Sequence, residues 1–110
     1  MNSKEIIAFK DDFESSTGIE VKNLIEESNY FHWKRLVLDS LNSEDMGIIS
    51  EYIKQRFYEK GKYTHFLPKL HNYQYQGYGH LVLTVDVSYI KKFILTPSKK
   101  VLNLPKAKRA

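Results

Sequence analysis

The sequence predicts an α+β fold: three to four N-terminal helices packed on one face of a C-terminal antiparallel sheet of four to five strands. Three observations carry that expectation. Apolar residues recur at helical spacing up to about residue 60, they alternate beyond Gly61, and the charge changes sign at the same place. Residues 1–60 hold 8 Lys/Arg against 12 Asp/Glu, a net −4, whereas residues 61–110 hold 9 Lys/Arg against the single acid Asp86, a net +8. The whole chain is 110 residues and 42% hydrophobic, enough for one core without a metal or staple, so one domain is expected over 1–104 with a disordered basic tail over 105–110.

The first helix is expected from Ile6, Phe9 and Phe13, which follow Ser3 at helical spacing and run into the polar Glu14-Ser15-Ser16. Thr17-Gly18-Ile19-Glu20 has the form of a capping box, so a second helix is expected over 18–27, burying Val21, Leu24 and Ile25. Trp33, Val37 and Leu41 lie four residues apart and predict a third amphipathic helix over 30–41, with Lys34, Arg35 and Asp39 toward water. Asn42 reads as its stop. Ser43 then reads as the N-cap of a fourth helix, with Glu44 and Asp45 at the positive end of its dipole, Met46, Ile49, Ile53 and Phe57 as its buried stripe, and Lys60-Gly61 as its end.

Past Gly61, β-branched and aromatic residues replace helix formers. Strands are expected over 63–67, ended by Pro68, and over 72–76, followed by a turn at Gly77-Tyr78-Gly79. The clearest strand is 80–87, where Leu81, Leu83, Val85 and Val87 point one way and His80, Val82, Thr84 and Asp86 the other. A further strand is expected over 89–96, although Val87-Ser88 is poor hairpin chemistry, and a short last one over 101–104. If the helices cover one sheet face, the other meets water, another chain or a ligand.

Several function classes are excluded. With no cysteine there are no disulfides, thiolate zinc sites or cysteine nucleophiles. The phosphate-binding glycine loops, nucleophile elbows, zinc-protease helices and calcium loops are missing, and Gly77-Tyr78-Gly79 is explained by a turn, so no cofactor is expected. Asp11, Asp12 and Glu14 interrupt any signal-peptide run, and no stretch approaches the ~18 apolar residues of a membrane span, so a cytoplasmic protein, or a domain delivered by a larger carrier, is expected.

Two constellations in the basic half carry chemistry. His65, His71 and His80 fit no metal-ligand spacing, but imidazoles are natural proton carriers, and RNA cleavage needs one group to take the 2′-hydroxyl proton and another to protonate the leaving oxygen. A solvated strand histidine is the bland alternative. Tyr73, Tyr75 and Tyr78 stand among Lys62, Lys91 and Lys92, a mixture that stacks unpaired bases and neutralises phosphates, though tyrosine is also a common strand former and interface residue. Lys106, Lys108 and Arg109 of the tail would add to affinity for a polyanion.

The leading expectation is an RNA-binding domain, in its sharper form a metal-independent endoribonuclease of toxin type, with His80, His71 and His65 as proton-transfer candidates. The helices-then-meander order is similar to that of compact metal-independent ribonucleases, barnase-type toxins among them, in architecture and not in motif. The alternative is a non-enzymatic inhibitor or immunity factor whose tyrosine-rich sheet docks on a protein partner, an antitoxin or a target. A minor one is a winged-helix DNA-binding protein, opposed by Glu44, Asp45, Glu51 and Glu59 on its would-be recognition helix.

Overall fold

Ile6, Phe9 and Phe13 lie on one side of helix α1 (Lys4–Thr17), and all three are wholly buried. In the computed structural model the chain is described over residues 4–26, 32–57, 67–94 and 101–105, with 91–93 described by backbone alone. The order continues through β1 (Asn23–Ile25), β2 (Trp33–Val37), α2 (Ser43–Phe57), β3 (Lys69–Tyr75), β4 (Tyr78–Asp86) and α3 (Val87–Ile94). The α+β class holds, with three helices and one four-stranded antiparallel sheet in the order β1-β2-β4-β3. The helices are not all N-terminal. They alternate with strand pairs, so the helices-then-sheet arrangement is corrected to an interleaved one.

Three expected elements change identity. The supposed capping box at Thr17 is the end of α1: Thr17 Oγ1 donates to the Phe13 carbonyl (2.7 Å) and accepts from the Ile19 amide (3.1 Å). Gly18, at φ 76°, then turns the chain out of the helix, a conformation open to a residue without Cβ. The chain runs from there into β1 instead of a second helix. The helix expected over 30–41 is instead β2. Leu36 and Leu38 are buried in the core with the helices and Val37 in the small core on the far face, so these three apolar neighbours interrupt the alternation at the strand's end. Without that helix the winged-helix alternative loses its first element.

The strand expected over 89–96 is α3. Asp86 Oδ1 accepts both the amide (2.9 Å) and the hydroxyl (2.6 Å) of Ser88, which makes Asp86 the N-cap, and Val87, Ile90 and Ile94 then fall on one buried stripe. Residues 101–105 belong to no strand, so the last expected strand is not formed. The strand over 63–67, the end of α2 at Lys60-Gly61 and the tail lie wholly or mostly outside the described residues.

Helix α2 starts one residue earlier than expected. Asn42 Oδ1 accepts the Asp45 amide (2.8 Å) while Asp45 Oδ2 accepts the Asn42 amide (3.2 Å), a reciprocal cap that puts Asn42, not Ser43, at the N-cap. Its buried stripe is Ile48, Ile49, Tyr52, Arg56 and Phe57, with Met46 exposed, so the face is rotated from the one expected. That rotation brings Tyr52 and Arg56 onto Asp12. Arg56 grips both Asp12 oxygens at 3.1 Å and the Tyr52 hydroxyl donates to Oδ2 at 2.5 Å. Burial first, and the Asp12 carboxylate second, hold the Tyr52 phenol protonated far above its ordinary range. Around this triad Phe9, Phe13, Tyr52 and Phe57 meet with ring centroids 5.4–6.4 Å apart.

The sheet register divides its side chains cleanly. Leu24, Leu36, Leu83 and Leu70 form one cross-strand row, and Leu36, Leu83 and Val85 enter the core with the helices. The opposite face carries Ile25, Arg35, Thr84 and Lys69 in one row and Asn23, Val37, Val82 and His71 in the next. A second small core of Ile25, Val37 and Val82, with Tyr73 and Tyr75 against it, sits on this far face. Between β3 and β4 the turn is Gln76-Gly77, at φ 51° and 83°, the left-handed pair of a two-residue hairpin. Tyr78 and Gly79 belong to β4, so the expected turn shifts back by one residue. No helix of the described residues is long and apolar enough to cross a membrane.

Candidate nucleic-acid interface

The far face of the sheet gathers five of the residues singled out from sequence. Alternation on β3 puts His71, Tyr73 and Tyr75 on that face, and alternation on β4 adds Tyr78 and His80. Tyr73 pairs with His80 and Tyr75 with Tyr78 across the hairpin, while His71 pairs with Val82. His71 and His80 are therefore diagonal neighbours on adjacent strands, a relation that sets Cβ atoms roughly 7–8 Å apart.

Each histidine has a distinct hydrogen-bond environment. His71 Nδ1 lies 2.8 Å from the Asn72 carbonyl, which can only accept, so the network assigns its proton to Nδ1. Nε2, 2.6 Å from Thr84 Oγ1, then accepts the threonine hydroxyl when the ring is neutral. His80 Nδ1 lies 3.3 Å from Asp39 Oδ2, an arrangement in which the carboxylate orients the ring and Nε2 is the basic atom.

Asp39 was not among the residues expected to act. It follows β2 at φ 50°, a backbone conformation few residue types adopt, and its Oδ1 accepts the Leu81 amide at 2.9 Å. The Leu81 carbonyl in turn accepts the amides of Leu38 (2.9 Å) and Asp39 (3.2 Å). The bond from Leu81, foremost, and then His80 and Lys22 hold the Asp39 carboxyl below its ordinary value. Nothing in the local sequence marks Asp39, because its partner is 41 residues away.

Arg35 is the other residue the sequence reading missed as a member of the face. Its guanidinium carbon lies 3.9 Å above the Tyr73 ring, a cation–π contact at the centre of the face. Lys69 stands in the same cross-strand row, on the far side of Thr84. The face thus presents Arg35, Lys69 and the His71–Thr84 pair around one point, with the His80–Asp39 pair beyond Tyr73. Alternation of Trp33, Arg35 and Val37 was the available signal, hidden by the helical spacing of Trp33, Val37 and Leu41.

The remaining candidates fall elsewhere. Lys91 and Lys92 stand on α3 rather than on a strand, and His65 and Lys62 lie outside the described residues, as do Lys106, Lys108 and Arg109. Among the described residues, no three His, Asp or Glu side chains are grouped closely enough to hold a metal ion. No protein-family model matches the chain, and it has no match among curated proteins or among solved structures.

Proposed function

We propose that the far face of the sheet binds single-stranded RNA and that His80 and His71 cleave it by proton transfer without a metal. One observation carries this reading: both histidines, three tyrosines, Arg35 and Lys69 share a face opposite the helices. Tyr78 is 72% exposed and offers an open ring to an unpaired base, while Tyr73 lies under the Arg35 guanidinium, whose charge suits a phosphate. His80, oriented by Asp39, takes the 2′-hydroxyl proton. Protonated His71 donates from Nε2 to the leaving oxygen, and Arg35 and Lys69 stabilise the charge gathering on the phosphate.

The test is incubation of the purified chain with unstructured RNA in EDTA, beside His80→Ala and His71→Ala. The expected result is cleavage in the wild type, reduced by about 100-fold or more in either variant. Intact RNA at high protein concentration, with binding that weakens as salt rises, would leave an RNA-binding face without catalysis. RNA that neither binds nor breaks would overturn the proposal and turn attention to a protein partner for the same tyrosines.

A further inference from the structure

The two ends of the sheet are guarded differently. β1, at one end of the strand order, is three residues long, and a short edge is one way a sheet is kept from pairing onward. β3, at the other end, runs seven residues in unbroken register from Lys69 to Tyr75, with no proline and no bulge. The two-residue turn closes on Tyr75 and Tyr78, a pair that exchanges both main-chain bonds, and alternation gives Tyr73, His71 and Lys69 the same role. Leu70, Asn72 and Gln74 therefore direct their amides and carbonyls away from β4. Leu81, opposite Asn72, fits this parity, for its amide and carbonyl serve Asp39 and Leu38 on the β2 side.

Among the described residues no chain segment takes up these outward groups. The Asn72 carbonyl accepts from His71 Nδ1 (2.8 Å) and keeps a second lone pair for another amide. Lys69, His71, Asn72 and Gln74 are exposed, so the edge stands open to water.

A second copy of β3 fits this edge. Antiparallel pairing about a two-fold axis must set outward groups against outward groups, and an axis at Asn72 is the register that engages the whole strand. Asn72 then meets the partner's Asn72, and Leu70 meets the partner's Gln74, each pair exchanging two main-chain bonds. On the far face Lys69 meets the partner's Tyr75 and His71 meets the partner's Tyr73, a cation or imidazole against an aromatic ring in both, with no like charges opposite each other. An axis at His71 would set two imidazoles against each other and bring Gln74 to the partner's Pro68, which has no amide to give. We infer that β3 is a dimerisation edge, on which two copies of the chain join into one continuous sheet with their far faces side by side. This holds whether or not that face binds RNA.

The experiment is size exclusion with light scattering on the full chain, for the wild type and three variants at position 72. Wild type is expected to reach twice the 13.0 kDa chain mass at concentrations up to about 1 mM. Asn72→Pro removes only an outward amide, which an edge strand tolerates, and is expected to keep its circular dichroism spectrum while staying at the single-chain mass. Asn72→Lys and Asn72→Asp each set like charges against each other at the axis, so each alone is expected to stay single and their equal mixture to pair. If Asn72→Pro loses the fold, the charge pair decides alone. Wild type at the single-chain mass throughout that range would overturn the proposal and leave the edge to a strand of another protein. Dimers that form equally in every variant, with nothing gained on mixing, would place the contact elsewhere and overturn it too. No RNA enters the measurement, so either failure leaves the RNA reading untouched.

Discussion

Two regions of this molecule use the same residue types to opposite ends. Between α1 and α2, a carboxylate, an arginine and a tyrosine meet in the buried Asp12–Arg56–Tyr52 triad, where the Arg56 and Asp12 side chains are 4% and 3% exposed. On the far face of the sheet, Asp39, Arg35 and Tyr73 meet histidines at the edge of solvent, and the His80 and Asp39 side chains are 26% and 37% exposed. In the first region burial makes every bond obligatory, since each group would otherwise be stranded without water. In the second, the His80–Asp39 pair stands open to water, which can replace either partner, so its geometry is held at little energetic cost and can be given up to a ligand.

The largest effect should follow from breaking the triad. Asp12→Ala leaves Arg56 buried without the carboxylate that grips it, and a loss of about 3–5 kcal/mol in chemical denaturation is expected. The triple variant Asp12→Leu/Tyr52→Phe/Arg56→Met should recover most of that loss, because the cost lies in the stranded charge and the stranded hydroxyl. If it does not, the triad contributes more than mutual neutralisation.

Next comes the turn that registers the face. Gly77 sits at φ 83° with open space where a Cβ would go, so Gly77→Ala meets no clash and reports the backbone alone, about 1–2 kcal/mol in thermal unfolding. Gln76→Asn, at φ 51°, should be neutral or slightly stabilising, since asparagine tolerates that region better.

Substitutions on the face itself should cost less. His71→Ala is expected to change stability by no more than about 0.5–1 kcal/mol while removing the proposed chemistry, which separates the two regions in one measurement. A loss as large as that of Asp12→Ala would erase the distinction between them.

A comparably small effect belongs to Asp39, whose carboxyl is held below its ordinary value of 3.8. A depressed carboxyl stabilises the fold above its unfolded value and loses that contribution as pH falls through the folded one. Asp39→Asn keeps an oxygen for the Leu81 amide but removes the charge, so wild type should lead by at most about 1 kcal/mol near neutrality. The gap should close as pH drops below about 3.8. A gap that persists at pH 2 would mean that shape, not charge, is what Asp39 supplies.

How far the sequence could be read depended on whether an element's own period met a competing one. α1 buries one face at its own period and was legible down to which residues point inward, and β4 was legible from its alternating sequence although Val82, Leu83, Thr84 and Val85 are all buried. β2 lies in the sheet interior with apolar residues on both sides, so its alternation is filled in and the four-residue spacing of Trp33, Val37 and Leu41 looked helical. α3 carried a readable signal, an Asp N-cap followed by Val87, Ile90 and Ile94, that the preceding strand's alternation masked. The far face was legible for His71, Tyr73, Tyr75, Tyr78 and His80, because local alternation sets them. Asp39 and Arg35 were not, since their roles come from partners 41 and 38 residues away.

The Gln76-Gly77 turn has a consequence for how this surface can vary. Because side chains alternate strictly along β3, inserting one residue at the turn works like a shift of reading frame. Asn72, Gln74 and Gln76 would then take the places of His71, Tyr73 and Tyr75. An insertion of two would restore every side chain to its side and merely lengthen the loop. Length changes at this tip should therefore be tolerated by parity, even numbers preserving the face and odd numbers erasing it.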